Sequence, residues 1–443
     1  MNTNAESIRI KLCQPLLTGM ATLSLAGSAA AQTVVVGTGN PDIDVPAVQA
    51  AVDQGGAVML QGHFSFDRPP TKPTLFDAPL MATILVSHQV VISGTSDEQG
   101  GMTSIVAGTI PFYVEAPGAR VEILGLRFIH PKFEAIDVSA VSGLVITSCK
   151  IEGVVPELGN FSNGIGIYTT VNPPTPPHPG KPELISGTLL IADNEIDVPG
   201  TSLGNRTGIL IFSVGVPGAE ANVYVSRNTI TNSTEGAMAF YQVDGRVAVE
   251  RNVMTTSTML GTVNTNFGRG TAVMELIGTG SYLIAGNSVH SRWGAASGIR
   301  AQGRRAVWPV IDALVVDNEV DMEAPEGTVF DDNSLAIDVR GFAQGNVVAN
   351  NRIRGRAGVA LSVSSFTPGT GTAVPANNEF LFNRVDEFEA SRVDVLVSEG
   401  VMNTLIVGQG TVEDHGFGTV VIPLPNHGGD HEEGRREQNE RDR

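Results

Sequence analysis

Apolar and polar positions along the chain follow a phase that resets at a recurring asparagine. The pattern apolar, any, apolar, any, any, Asn, any, apolar appears as LLIADNEI ending at Ile196, VYVSRNTI at Ile230, VAVERNVM at Met254 and YLIAGNSV at Val289. It continues as ALVVDNEV at Val320, NVVANNRI at Ile353 and NEFLFNRV at Val385, so Asn194, Asn228, Asn252, Asn287, Asn318, Asn351 and Asn383 share one slot. Upstream, LVITSCKI puts Cys149 in that slot and VEILGLRF puts Leu126 there. From Cys149 the intervals are 45, 34, 24, 35, 31, 33 and 32 residues. The shortest is close to one bare turn of a solenoid, and the longer ones carry inserted loops.

A second strand follows each slot, usually announced by Gly or Ser: GIGIY from Gly164, GILIF from Gly208, GAMAF from Gly236 and TAVME from Thr271. The series continues with GIRAQ from Gly298, SLAID from Ser334, GVALS from Gly358 and DVLVS from Asp394. Two phased strands in a turn of about 22 to 24 residues predict an all-β, single-stranded, right-handed parallel β-helix. An α-solenoid needs a period of 3.6, which is absent, and a propeller needs antiparallel four-stranded blades. Asn suits the slot because it tolerates the left-handed conformation of a strand corner and its amide can bond to the Asn one coil away. Stacked amides form a ladder, so these Asn residues are read as structural.

The opening DVPAVQAAVD, Asp44 to Asp53, places Val45, Val48 and Val52 on one face of a short helix closed by Gly55-Gly56. Such a helix covers the open end of a coil. The cap, the Asn ladder and the phased strands resemble the pectate-lyase-like superfamily of right-handed parallel β-helices over about residues 40 to 420. The resemblance implies a polysaccharide partner. It assigns no catalytic residues, because the Asn-Thr-Asp, Asp-Asp and Gly-His-Gly signatures of polygalacturonase-type members and the Arg-x-Pro-x-x-Arg element of pectate lyases are missing.

Composition narrows the partner. Gly makes up 51 of 443 residues and the formal charge is −18, which disfavours nucleic acid and anionic membranes. Residues 1–31, with Arg9 and Lys11 before an apolar stretch and Ala29-Ala30-Ala31 at the end, read as a secretory signal. The expected organisation is therefore a leader (1–31), a β-helix with its cap (32–425) and a charged disordered tail (426–443). Export to the periplasm or the extracellular space is expected, with no membrane span and no assigned oligomeric state. Cys149 alone outlasts the leader, which excludes a disulfide framework and a Cys-based zinc site.

Strict alternation assigns two outward columns to the second strand. One runs Leu210, Met238, Val273, Arg300, Ala336, Ala360 and the other Phe212, Phe240, Glu275, Gln302, Asp338, Ser362. An apolar half gives way to a polar half, where Glu275 and Asp338 are candidate acid/base groups and Arg300 a candidate anchor for a uronate. Arg340, Gln302, Tyr241, Arg304, Trp293 and Trp308 are candidate sugar-binding residues, since aromatic faces stack on sugar rings and guanidinium forks grip carboxylates. Two carboxylates two coils apart suit inverting hydrolysis, whereas Arg beside a base suits elimination from a uronate. The competing reading is a surface ion-pair ladder, and Trp293 and Trp308 can equally pack back onto the coil.

No metal set or cofactor is expected. The acidic loop Asp321 to Asn333 holds enough oxygen ligands for Ca²⁺ but lacks a regular spacing, so it reads as a solvated loop. His130, Lys132, Glu134 and Asp137 read as a polar surface patch. The leading expectation is a polysaccharide-active enzyme, hydrolase or lyase, acting on an acidic substrate. The alternative is a non-catalytic glycan-binding or cell-envelope scaffold.

Overall fold

A computed structural model describes residues 32–68, 82–154, 161–168, 181–199, 205–233, 236–256, 272–292, 297–304, 306–323, 334–366 and 373–423. The leader, the tail and the proline-rich 171–180 lie outside these residues. Among the described residues no helix is long and apolar enough to cross a membrane.

The helix α1 spans Pro41–Gln54, beginning three residues before the sequence-based start. The Asn40 side chain accepts from the Asp42 amide, and Pro41 fits the first helical position because its missing N–H is not needed there. Val45, Val48 and Val52 are fully buried, as their spacing requires. Polar side chains tie the helix down. Asp44 accepts from the amides of Thr38 and Ser65, and Gln49 exchanges two 2.9 Å bonds with the backbone of Leu85. The helix thereby pairs an edge strand that would otherwise be open.

The described coils have three faces, where the sequence pattern suggested two strands; in some coils two faces are one continuous strand, as in Glu134–Thr147. One coil comprises Asn205–Val214 on face A, Ala221–Ser226 on face B and Thr229–Ser233 on face C. The next repeats them as Gly236–Val243, Arg246–Glu250 and Val253–Thr256, paired in parallel through Leu210 with Ala239, Tyr224 with Ala248 and Ile230 with Met254. The face C strand escaped notice because many of its copies have only three to five residues, too short for an alternation to register. The fold is a right-handed parallel β-helix. Its interior consists of stacked apolar side chains, such as Ile191, Val225, Val249, Ile284, Val315 and Val348 on face B.

The Asn ladder lies at the corner between faces B and C. The Nδ2 of Asn194 donates to Oδ1 of Asn228 at 2.9 Å, and the relay continues through Asn252, Asn287, Asn318 and Asn351 to Asn383. Cys149 joins through its backbone N–H, which donates to Asn194 Oδ1 at 2.9 Å. The left-handed residue is the one before each slot: Ser148, Asp193, Arg227, Arg251, Gly286, Asp317, Asn350 and Phe382 have φ between 54° and 63°. Backbone tolerance therefore does not select Asn; the amide relay does. A shorter relay through Asn346 and Asn378 marks the corner between faces A and B.

Candidate functional site

Face A does not alternate strictly. Five strands there carry two consecutive inward residues, Ala135-Ile136, Ala237-Met238, Val273-Met274, Ala336-Ile337 and Ala360-Leu361, all at most 1% exposed and part of the core. Gly164, Gly208 and Gly298 take the first of these positions in other coils, where a β-carbon would lie 2.4 to 2.6 Å from Ile196, Ile230 or Val320. The doubled inward step shifts the outward register and corrects both sequence-based columns. Met238, Phe240, Val273, Ala336 and Ala360 belong to the core.

The observed first column is Tyr113, Asp137, Gly166, Leu210, Ala239, Glu275, Arg300, Asp338, Ser362. The second runs Tyr168, Phe212, Tyr241, Ile277, Gln302, Arg340, Ser364. The correction brings Glu275, Arg300 and Asp338 into one column on three successive coils, about 4.8 Å apart.

These side chains form one charged network. Arg300 lies between the carboxylates, 3.6 Å from Glu275 and 3.5 Å from Asp338. Arg340 approaches Asp338 to 2.9 Å, Arg304 approaches Glu275 to 3.8 Å, and Tyr241 donates to Glu275 at 2.6 Å. Ser297 accepts from Arg300, and Ser364 donates to Asp338. Burial lowers the Arg300 pKa to about 10, assisted by the neighbouring Arg340, so its guanidinium stays charged at neutral pH. Asp338 is fully buried and Arg300 is 3% exposed, whereas the Arg304 side chain is 30% exposed. The cation that a solute reaches is thus Arg304, whose guanidinium sits 5.7 Å from the centroid of the Tyr241 ring. Phe212 extends that aromatic surface, its ring 5.5 Å from Tyr241. Among the described residues of this network three guanidinium groups face two carboxylates, in a chain of formal charge −18.

Other candidates separate. Gln302 is buried beside Arg340 in the register. Trp308 is half-buried, with its Cβ 3.4 Å from where a β-carbon on Gly278 would stand. Trp293 lies outside the described residues. The dense basic segment His290 to Trp308 divides between faces, because His290 and Arg292 are on face C with Glu323 at 3.2 and 3.6 Å. Of the acidic loop, Asp321 and Glu323 are described, and both have cationic neighbours. Among the described residues no group of three or more His, Cys, Asp and Glu side chains could hold a metal ion.

The polar patch after the VEILGLRF rung is not all surface. His130 and Lys132 are at least partly exposed, but Glu134 is 0% and Asp137 3% exposed. Only chain position announced these two carboxyls, and the doubled inward step that turns both outward is invisible in a period-two reading.

No protein-family model and no curated protein matches the chain. Solved structures do. PfbA, a surface adhesin of Streptococcus pneumoniae, aligns at a TM-score of 0.43 and 12% identity, covering 90% of this chain and 97% of that one. The Azotobacter vinelandii mannuronan C-5 epimerase AlgE4 A-module aligns at 0.39 and 10%, covering 88% and 96%. A DFA-IIIase mutant from Arthrobacter chlorophenolicus A6 aligns at 0.42 and 14%, covering 92% and 98%. These likenesses concern the fold alone.

Proposed function

We propose that the chain is an exported protein that binds an acidic polysaccharide along face A and cleaves it by elimination at a uronate. The observation that supports this reading is the excess of arginine over carboxylate among the described residues of the network around Glu275, with Arg304 partly exposed beside the aromatic surface of Tyr241 and Phe212. Sugar rings stack on such a surface, and a guanidinium fork takes the uronate carboxylate. Inverting hydrolysis fits this column poorly, because it needs a water between the two carboxylates and the Arg300 guanidinium fills that space.

Elimination uses the groups present. Arg304 neutralises the uronate and makes the C5 proton more acidic. Glu275 takes that proton, the C5–H electrons form the C4–C5 double bond, and the C4–O bond breaks. Tyr241 gives its proton to the departing oxygen and regains one from Glu275, 2.6 Å away.

The test is a panel of acidic and neutral polysaccharides followed by absorbance of unsaturated uronates and by reducing ends. The expected result is unsaturated product from an acidic polymer, lost by at least about 100-fold in Glu275→Gln. Reducing ends without the double bond would replace elimination by hydrolysis. A second reading, a non-catalytic glycan-binding scaffold, is favoured by the mutual pairing of Glu275, Arg300 and Asp338, which satisfies their charges without a substrate. Binding that weakens in Arg304→Gln with no turnover of any polymer would establish it.

A further inference from the structure

The outward side of face B is apolar over much of the solenoid. Its first outward column runs in register from Tyr224 through Leu283, Leu314, Val347 and Leu405 to Val420, and Glu379, between Val347 and Leu405, is the one charged side chain in that run. Tyr224 is 39% and Val420 53% exposed, and the four between them are half-buried, shielded only by their neighbours in the sheet. The next outward position adds Val316, Val407 and Ile422. On the same coils face C turns Glu319, Arg352 and Arg384 outward, so the apolar character belongs to face B and not to this end of the chain as a whole.

Phe382 marks the edge of the strip at the corner between faces B and C. Its φ is 54° and it is 49% exposed. The equivalent corner positions of other coils hold Asp193, Arg227, Arg251, Asp317 and Asn350. A bulky residue is strained in this left-handed conformation, whereas Asn and Asp tolerate it. An aromatic ring that is both strained and exposed gains little from the fold of its own chain, which points to a contact made from outside. Met402, 44% exposed, flanks the strip at the opposite corner.

We propose that this strip of face B is the surface through which two copies of the chain pair about a two-fold axis, sheet against sheet. The strip spans eight coils at about 4.8 Å each and is about 15 Å wide with its corners, giving roughly 500 Å² per copy and about 1,000 Å² in a pair. That is the size at which a specific interface becomes stable, and it exceeds the few hundred Å² that a solitary chain commonly leaves apolar. A two-fold contact sets this surface against itself, so aliphatic side chains meet aliphatic side chains and two flat sheets pack about 10 Å apart. The chain that follows Ile422 is poorly suited to the same place, because Leu424 is its one aliphatic side chain apart from two prolines. A polysaccharide is poorly suited as well, since its hydroxyls need polar partners that these aliphatic columns do not offer. Pairing through face B leaves face A of each copy free for its own ligand, whatever reaction occurs there.

The test is sedimentation equilibrium of the full chain. Twice the mass of one chain is expected at about 100 μM, with dissociation in the micromolar range that a small interface supports. Added sodium chloride should tighten the pair, because it screens the repulsion between two chains of charge −18. Val407→Lys and Phe382→Asn should each raise the Kd by at least about 10-fold. Phe382→Asn also separates interface from fold: as a monomer at high dilution it should melt no lower than the wild type, since Asn suits a φ of 54°. Val253→Lys, at a 46% exposed position on face C, should leave the Kd unchanged. A monomer at about 100 μM, a dimer that both face B variants leave intact, or a dimer that salt dissociates overturns the proposal. So does a monomer that sediments with uncharged phosphatidylcholine vesicles, which would assign the strip to lipid.

Discussion

Substituting Asn252→Ala tests the amide relay at its shortest interval, where one bare coil of 24 residues separates it from Asn228. The Asn252 amide donates to Val225 O at 3.0 Å, Glu250 O at 3.2 Å and Asn287 Oδ1 at 3.0 Å, and accepts from the backbone N–H and Nδ2 of Asn228, both at 2.9 Å. Alanine removes all five. Asn287 Oδ1 still receives the Asn252 backbone N–H, and Asn228 Nδ2 still reaches Ile191 O and Ser226 O. The buried Asn228 N–H and the Val225 carbonyl lose their side-chain partner. Two such groups at roughly 1 to 3 kcal/mol each give a loss of about 2 to 6 kcal/mol. Asn222→Ala is the control, since that half-buried side chain makes one 3.4 Å contact to Arg246 N, and it should cost under about 0.5 kcal/mol. Urea unfolding followed by far-ultraviolet circular dichroism measures both. A loss below about 1 kcal/mol in Asn252→Ala would refute the claim that the relay, rather than the corner's backbone shape, selects asparagine.

Extending the relay should do the reverse. Cys149→Asn places an amide where the thiol lies 3.7 Å from Ile123 O, and should raise stability by about 1 kcal/mol in the same assay. Arg300→Met leaves the buried Asp338 with fewer partners and should cost about 3 to 5 kcal/mol, more than Arg304→Met at the exposed end of the network. Gly166→Ala should lower the melting temperature by several degrees because its β-carbon displaces Glu134 or Tyr168, whereas Gly143→Ala, whose nearest contact is the Arg120 side chain at 3.5 Å, should change it little. The Glu134 pKa stands at about 7 in the folded chain against 4.5 for the free group, so the folded state binds more protons between those values. Stability should therefore fall as pH rises from about 4.5 to 7, and Glu134→Gln should flatten that slope in thermal melts; an unchanged slope would mean that Glu134 does not titrate there.

The Asn slots, the capping helix and the parallel winding were legible because each leaves a periodic or compositional trace. Seven identical residues at one phase survive insertions of any length, and Val45, Val48 and Val52 share one helical face. The third strand and the face A register were not legible. The strand Glu195–Asp197 has no room for alternation, and the doubled inward step at Val273-Met274 breaks the period that the reading assumed. Glu275, Arg300 and Asp338 stand at outward positions in both the sequence-based and the observed columns, so their shared face survives the change of register. The separation of Arg292 from Arg300 was hidden for a different reason: Arg292 ends a face C strand and Arg300, eight positions later, lies in a face A strand, and sequence proximity says nothing about which face a guanidinium joins.

Proton transfer and uronate recognition both depend on where a polysaccharide lies, so the most direct measurement is a crystal structure of Glu275→Gln with an acidic oligosaccharide bound. The predicted result is a uronate carboxylate within hydrogen-bonding distance of the Arg304 guanidinium, with the sugar chain running along face A across Tyr241 and Phe212. An oligosaccharide seated on face B or C, or on face A with no contact to Arg304, would contradict the account.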